Sequence, residues 1–254
     1  MRIILHMTLI LAVISGNIRV LPAQDLSATE IVKKADEKFR GELTGYSVMT
    51  MTIVRPTWKR SVEFKSWAKD DDYALTLITA PAREKGQTFL KRENEMWSWN
   101  PSISRLIKLP PSMMSQGWMG SDYTNDDILK ESSVVDDYTH EIIGDEEIDG
   151  RTCWKIKLTA KEDAEVLWGS QIWWIDKKDF ISMKAELYDE DDYLVRTQIG
   201  SQIKKMDGRL LPSVIELIPA DKEGYKTILN ITEMKFNMDI SDNFFSQQNM
   251  KTIR

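Results

Sequence analysis

The feature that most constrains this chain is an alternation of period two that begins near Gly45 and returns about a dozen times before the carboxyl terminus. Between Trp58 and Ala68, the residues Trp58, Val62, Phe64, Ser66 and Ala68 share one face, while Lys59, Ser61, Glu63, Lys65 and Trp67 share the other. That is the pattern of a strand with one face wet. It recurs over residues 46–54, 73–79, 88–91, 95–99, 104–108, 140–143, 152–158, 171–175, 181–188, 193–199, 211–217 and 225–231. Turn signals separate the stretches: acidic runs at 69–72 and 189–192, and the pairs Asp149-Gly150 and Asp207-Gly208. Such short separations favour hairpins, so the strands are expected to run as antiparallel meanders, not as parallel crossover units.

Two regions depart from this rhythm. Ser27 and Glu30 have capping-box spacing, and Ile31, Ala35 and Phe39 recur on one face until Gly41, which predicts a short amphipathic helix ahead of the first strand. In the middle, residues 110–120 are rich in Pro, Met, Gly and Trp, and residues 125–131 (NDDILKE) can open a helix capped by Asn125. Residues 110–135 are therefore read as an insertion between two sheet halves, packed across a sheet face. No linker rich in Gly, Ser or charge divides the chain, so residues 24–254 are read as one domain.

The amino terminus has Arg2, an apolar stretch from Ile3 to Ile14 and then Leu21-Pro22-Ala23 before Gln24. This is the layout of a cleaved export signal over residues 1–23, and it implies a soluble periplasmic protein. No cysteine follows the apolar stretch, so a lipid anchor on the new amino terminus is not expected. Composition narrows the function. The chain holds 34 Lys and Arg against 40 Asp and Glu, a net charge of −6, and removing Arg2 and Arg19 with the leader takes it to −8. A nucleic-acid partner is excluded on that ground, since a phosphate-backbone binder needs a concentrated basic surface.

Chemistry-bearing residues are few. There is no glycine-rich phosphate loop, no zinc-binding histidine pair and no serine elbow, so catalytic, cofactor and metal sites are all read as none. His140 reads as a polar strand residue, and Cys153, with no histidine near it in sequence, as an inert thiol. The run 189–192 lacks calcium-loop spacing and reads as a solvated turn. Asp122, Asp126 and Asp127 are the carboxylates that invite an acid–base reading, although helix capping accounts for two of them.

Aromatic and methionine side chains are the stronger clue: nine Trp and thirteen Met. Met adapts to irregular apolar shapes and Trp supplies large area with a donor at its edge, a combination suited to a cavity for flexible acyl chains. An ordinary core of bulky side chains needs the same residues. The candidates for the cavity or its cover are Arg60, Phe89, Leu90, Met96, Trp97, Trp99, Met113, Met114 and Trp118.

Several spaced blocks resemble the outer-membrane lipoprotein-sorting protein family of the LolA-like superfamily. They are MTIVRP at 51–56, KGQTFLKRENEMWSWNPSISRLIKLPP at 85–111, MGSDYTNDDI at 119–128, YTHEIIGDEEIDGRTCWKIKL at 138–158, and Trp174, Asp176, Lys177 and Lys178. The resemblance implies a mainly β fold: a strongly curved antiparallel sheet of about eleven strands, forming an incomplete barrel whose concave side is covered by helices. It implies a periplasmic carrier or chaperone for an acylated lipoprotein or lipid. Such a carrier passes its cargo from an inner-membrane transporter, of the kind associated with RND-type exporters, to an outer-membrane acceptor, and works as a monomer. Met119, Gly120, Ser121, Asp122 and Asp127 carry over as family-motif residues. Arg60 is the counterpart, on the Trp58, Val62, Phe64 face, of the arginine that holds the carrier's helical lid. A lipoprotein-sensing regulatory protein and a lipid-modifying enzyme using Asp122 and Asp127 are the alternatives.

Overall fold

The computed structural model describes residues 26–41, 43–70, 72–93, 95–129 and 133–254. The leader at 1–23 and its cleavage after Ala23 lie outside the described residues. The strands are β1 (Thr44–Arg55), β2 (Trp58–Lys69), β3 (Tyr73–Ala80), β4 (Thr88–Arg92), β5 (Glu95–Asn100), β6 (Arg105–Leu109), β7 (Tyr138–Ile148), β8 (Arg151–Ala160), β9 (Ser170–Asp176), β10 (Ser182–Tyr188), β11 (Leu194–Met206), β12 (Arg209–Pro219) and β13 (Lys226–Phe236). Each alternating stretch falls, within a residue at its ends, on one of these strands. All thirteen join one antiparallel sheet in the order β6-β5-β4-β3-β2-β1-β13-β12-β11-β10-β9-β8-β7. The first and last strands thus meet in the middle, in a ladder from Gly45↔Phe236 to Val54↔Lys226.

This sheet corrects the expected fold. It has thirteen strands, not about eleven, and it is a single open sheet with β6 and β7 as free edges, not a strongly curved incomplete barrel. The edges have physical reasons to stay apart. β6 is only five residues long, and β7 presents exposed Glu141, Asp145 and Glu147 and carries a register shift between Ile142 and Gly144. Short, charged and bulged edges resist pairing. The helical cover is also sparse: α1 (Ala28–Arg40) and the short α2 (Asn125–Leu129) lie over one face, here the inner one, while α3 (Gln247–Thr252) packs on the other.

Helix α1 forms where its sequence pattern predicts. Ser27 and Glu30 make both bonds of the capping box, and the amide of the terminating Gly41 donates to the Glu37 carbonyl. Its buried stripe, Ile31, Val32 and Ala35, packs on Ile156, Leu158 and Ile175 of β8 and β9. The Arg209 guanidinium donates to the carbonyls of Glu37 and Lys38 and stacks over Phe236, fixing the helix end to the sheet.

The outer face of β3–β6 is closed by the carboxyl terminus. Phe245 and Met250 are fully buried against Leu75, Leu90 and Trp97, the Thr88 hydroxyl donates to the Met250 carbonyl at 2.7 Å, and Lys69 pairs with Asp242. Phe245→Ala is expected to destabilise the chain by about 3–5 kcal/mol, because it removes a buried ring from a site walled by strand residues that cannot collapse into the gap. Urea unfolding followed by fluorescence checks this.

Candidate functional site

The connection between β6 and β7 has to pass from one edge of the sheet to the other, and its described residues, 110–129 and 133–137, run across the inner face. Its backbone alone does not hold it there. Among its described residues, short 3-10 turns at Pro111–Met113 and Trp118–Gly120, the α2 helix and one isolated bridge, Gly117↔Thr124, are the regular structure. Two buried arginines of the sheet supply the anchors. Arg55, at the end of β1, donates to the Asp122 carboxylate and to the Gly120 carbonyl, both at 3.0 Å, and stacks on Tyr225. Asp122 also accepts from the Thr227 hydroxyl at 2.7 Å, and its own amide donates to that oxygen. Gly120 takes a φ of 79°, in the left-handed region that glycine adopts freely, and this turns its carbonyl toward Arg55.

The second anchor is Arg196 of β11. Its guanidinium grips Asp127 end-on through both terminal nitrogens, donates to the Asp122 carbonyl at 3.2 Å and lies 4.4 Å from the centre of the Trp168 ring. Asp127 in turn accepts from the amide and hydroxyl of Thr124, both at 2.7 Å, while its amide donates back to the Thr124 hydroxyl. Thr124 therefore caps α2. Asn125, expected in that role, instead donates its side-chain amide to the Met113 carbonyl. The carboxylates of Asp122 and Asp127 are committed to charge-assisted bonds that hold the chain in place.

Between the anchored connection, α1 and the inner face lies a cavity of about 630 Å³. Its walls come from β1–β3 and β9–β13, with Met49, Phe64, Leu211 and Ile215 among the apolar ones. Phe39 of α1 and Tyr123 and Ile128 of the connection line its other side, and the cavity stays partly open to solvent. Arg196 and Gln171 are polar, buried members of the lining. Burial, and secondarily the Asp127 carboxylate, push the Tyr123 phenol well above its ordinary value, so it remains a neutral hydroxyl. The size lies within the range of small-ligand sites.

The sequence-derived candidates divide between the two faces. Phe89 and Met96 point inward and meet Met113, Met114 and Trp118 of the connection, where Trp118 packs edge-on against Phe64 and Phe89. Leu90, Trp97 and Trp99 point outward, beneath the carboxyl-terminal segment. Arg60 pairs with Glu84 at 3.2 Å. None of these nine side chains is part of the cavity lining. Of the motif residues, Asp127 lines it, while Gly120 and Asp122 sit at the Arg55 anchor, Ser121 bonds the Tyr123 amide and Met119 takes a left-handed φ of 51° beside them. Sequence reasoning missed Arg55, Arg196 and Thr227. Arg55 lies inside the quoted MTIVRP block. Arg196 could have been suspected only as a charge on a strand's core-facing register.

His140 bonds the Val134 carbonyl and the Thr29 hydroxyl, a structural tie between the connection and α1. Cys153 is buried on the opposite face from Trp154, Ile156 and Leu158, and burial pushes its thiol up to about 11. Among the described residues no group of three or more His, Cys, Asp or Glu is placed to hold a metal ion.

With this geometry the chain can be set beside known proteins. A family model described as an uncharacterized protein matches residues 70–252. No curated protein matches the chain. A DUF1329 family protein from Desulfovibrio piger is similar in structure, with a TM-score of 0.79 at 24% identity over 88% of this chain and 97% of that one. A domain described as an outer membrane lipoprotein-sorting protein, from Vibrio parahaemolyticus, gives 0.77 at 20% identity over 88% and 98%. A LolA superfamily protein from Nitrosomonas europaea gives 0.75 at 25% identity over 88% and 99%.

Two outcomes follow from the side-chain chemistry. Asp127→Ala leaves the Arg196 charge buried without its carboxylate and is expected to cost about 3–5 kcal/mol, whereas the double change Arg196→Met with Asp127→Leu costs less than either single one. Urea unfolding of the wild type, Asp127→Ala, Arg196→Met, Asp127→Leu and the double variant measures both. Because its ionisation is shifted upward, Cys153 stays protonated at about pH 8, and a disulfide reagent is expected to label it only after denaturation.

Proposed function

The chain belongs to the family of uncharacterized proteins matched over residues 70–252 and shares the fold of the LolA superfamily, and from that premise we propose that it is a non-enzymatic periplasmic carrier that encloses an acyl chain. In this reading residues 1–23 direct export and residues 24–254 are the working domain. The observation that carries it is the apolar cavity, closed on one side by a connection held through two buried arginine–carboxylate pairs. Burying acyl chain is favourable by about 0.8 kcal/mol per CH2, enough to drive capture without a covalent bond. Release then requires a partner that favours the emptied state, since a ligand or partner shifts an equilibrium only by its differential affinity. An inner-membrane transporter as donor and an outer-membrane acceptor are the partners that suit a lipoprotein or lipid cargo.

The engagement of Asp122 and Asp127 by Arg55, Thr227, Arg196 and Thr124 argues against the lipid-modifying alternative. Both carboxylates serve as structural acceptors. Purification from the periplasm followed by lipid-resolved mass spectrometry is expected to recover near-stoichiometric acyl-bearing cargo. Ala185→Phe, which projects a ring from β10 into the cavity, is expected to lower that occupancy several-fold, while Trp97→Ala on the opposite face lowers stability without lowering occupancy of the folded protein. A reproducibly empty wild-type protein, or equal loss in the two variants, would overturn enclosure as the function.

A further inference from the structure

The strand order places the β1–β2, β3–β4 and β5–β6 turns side by side at one end of the sheet. They are contiguous: Arg60 pairs with Glu84 across the first two, and Pro101 lies close against Gly86 across the second and third. Within residues 55–60, 81–87 and 100–105 there are six Lys or Arg and one acidic residue, Glu84, in a chain whose net charge is −6. Arg55 and Arg60 are paired, but Lys59, Arg83, Lys85 and Arg105 are exposed and make no ion pair with a described residue. Among them project Trp58, 49% exposed, and Ile103, 64% exposed. The turns at the same end of the other sheet half are of opposite charge: residues 161–169, 189–193 and 220–225 hold nine Asp or Glu against two Lys.

An isolated exposed apolar residue needs no explanation, but two on the outer members of three adjoining turns, set among unpaired cations of an acidic protein, form a pattern. Tryptophan at a tip with lysine and arginine around it suits the boundary between headgroups and acyl chains. The cations are spread over three turns and do not converge on a pocket, and neither Trp58 nor Ile103 lines the cavity. That arrangement matches a broad anionic surface better than a single acidic side chain on a partner. We infer that this basic, apolar-tipped end docks reversibly on an anionic phospholipid membrane, with Trp58 and Ile103 entering the headgroup layer. The acidic turns at the same end of the other half are repelled by such a surface, so docking engages the basic half alone. The inference concerns a surface separate from the cavity and does not depend on what the cavity holds.

The test is sedimentation of the chain, as recovered after export, with vesicles of phosphatidylethanolamine and phosphatidylglycerol or of phosphatidylcholine alone. Binding to the anionic vesicles is expected at low salt, falling as salt rises, with little binding to the neutral ones. Each cation near such a surface contributes about fivefold, so the triple variant Lys59→Gln, Arg83→Gln, Lys85→Gln is expected to lose at least about tenfold in partitioning. Trp58→Ser with Ile103→Ser should reduce the binding that persists at higher salt. Unchanged urea midpoints would show that the variants remain folded. Equal binding to neutral vesicles, an unaffected triple variant, or no binding to anionic vesicles at all would each overturn the inference, the last leaving an acidic protein surface as the occupant of the tip.

Discussion

Everything over the inner face follows from how the β6–β7 connection is held there by its described residues, 110–129 and 133–137. Antiparallel hairpins link β1 through β6 and β7 through β13, yet β6 and β7 are the two opposite edges, so the chain between them must travel over the face. A segment with this little regular structure cannot satisfy itself. Arg55 and Arg196 meet that need by offering several donors each to carboxylates and carbonyls at fixed places. The planar guanidinium fork defines direction as well as attraction, which makes arginine better suited than lysine here. Trp118 and Tyr123 then bury themselves against β2 and its neighbours, and the apolar contact supplies what the ion pairs alone do not.

A sheet this wide presents two apolar faces, and the protein covers them differently. On the inner face α1 and the connection stand off the central strands and leave a cavity. On the outer face of β3–β6 the carboxyl-terminal segment packs directly, with Phe245 filling the space between Leu75 and Trp97. Among the described residues no such segment covers the outer face of β8–β10. There Trp174 is buried beneath its own neighbours: Lys155 and Lys184 lie over its ring at 4.9 and 4.2 Å, and Glu146 accepts its indole N–H. Long cationic side chains cover the ring with their stems while keeping their charges wet.

Much of the secondary structure was legible because strands and helices impose periods on a sequence. The stretch from Trp58 to Ala68 alternates because its two faces meet different surroundings, and Ser27 with Glu30 marks a helix start through local chemistry alone. The open sheet was not legible, since whether β6 pairs with β7 is a property of two edges nearly thirty residues apart. The candidate site suffered from the same blindness. Phe89 and Leu90 are adjacent, yet one faces Trp118 and the other faces Phe245, and only the pairing of β3 with β4 decides which. Arg196 was invisible for a related reason: beside Val195 and Thr197 it reads as an ordinary strand charge until its face is known to be the covered one.

The two buried ion pairs also bear on what the cavity wall can do. A buried pair is weak as a source of net stability, because desolvation offsets most of the attraction, but it is strict about geometry. Arg196 contributes to the cavity lining and also fixes Asp127 at the start of α2, so one side chain couples the shape of the cavity to the position of the connection. A bulky ligand that pressed on Tyr123 or Ile128 would have to strain this pair or displace it. Reseating it elsewhere would require donors equivalent to Arg55, Thr227 and Arg196. The connection is thus positioned by directional bonds, beside a cavity whose own contacts are mostly non-directional.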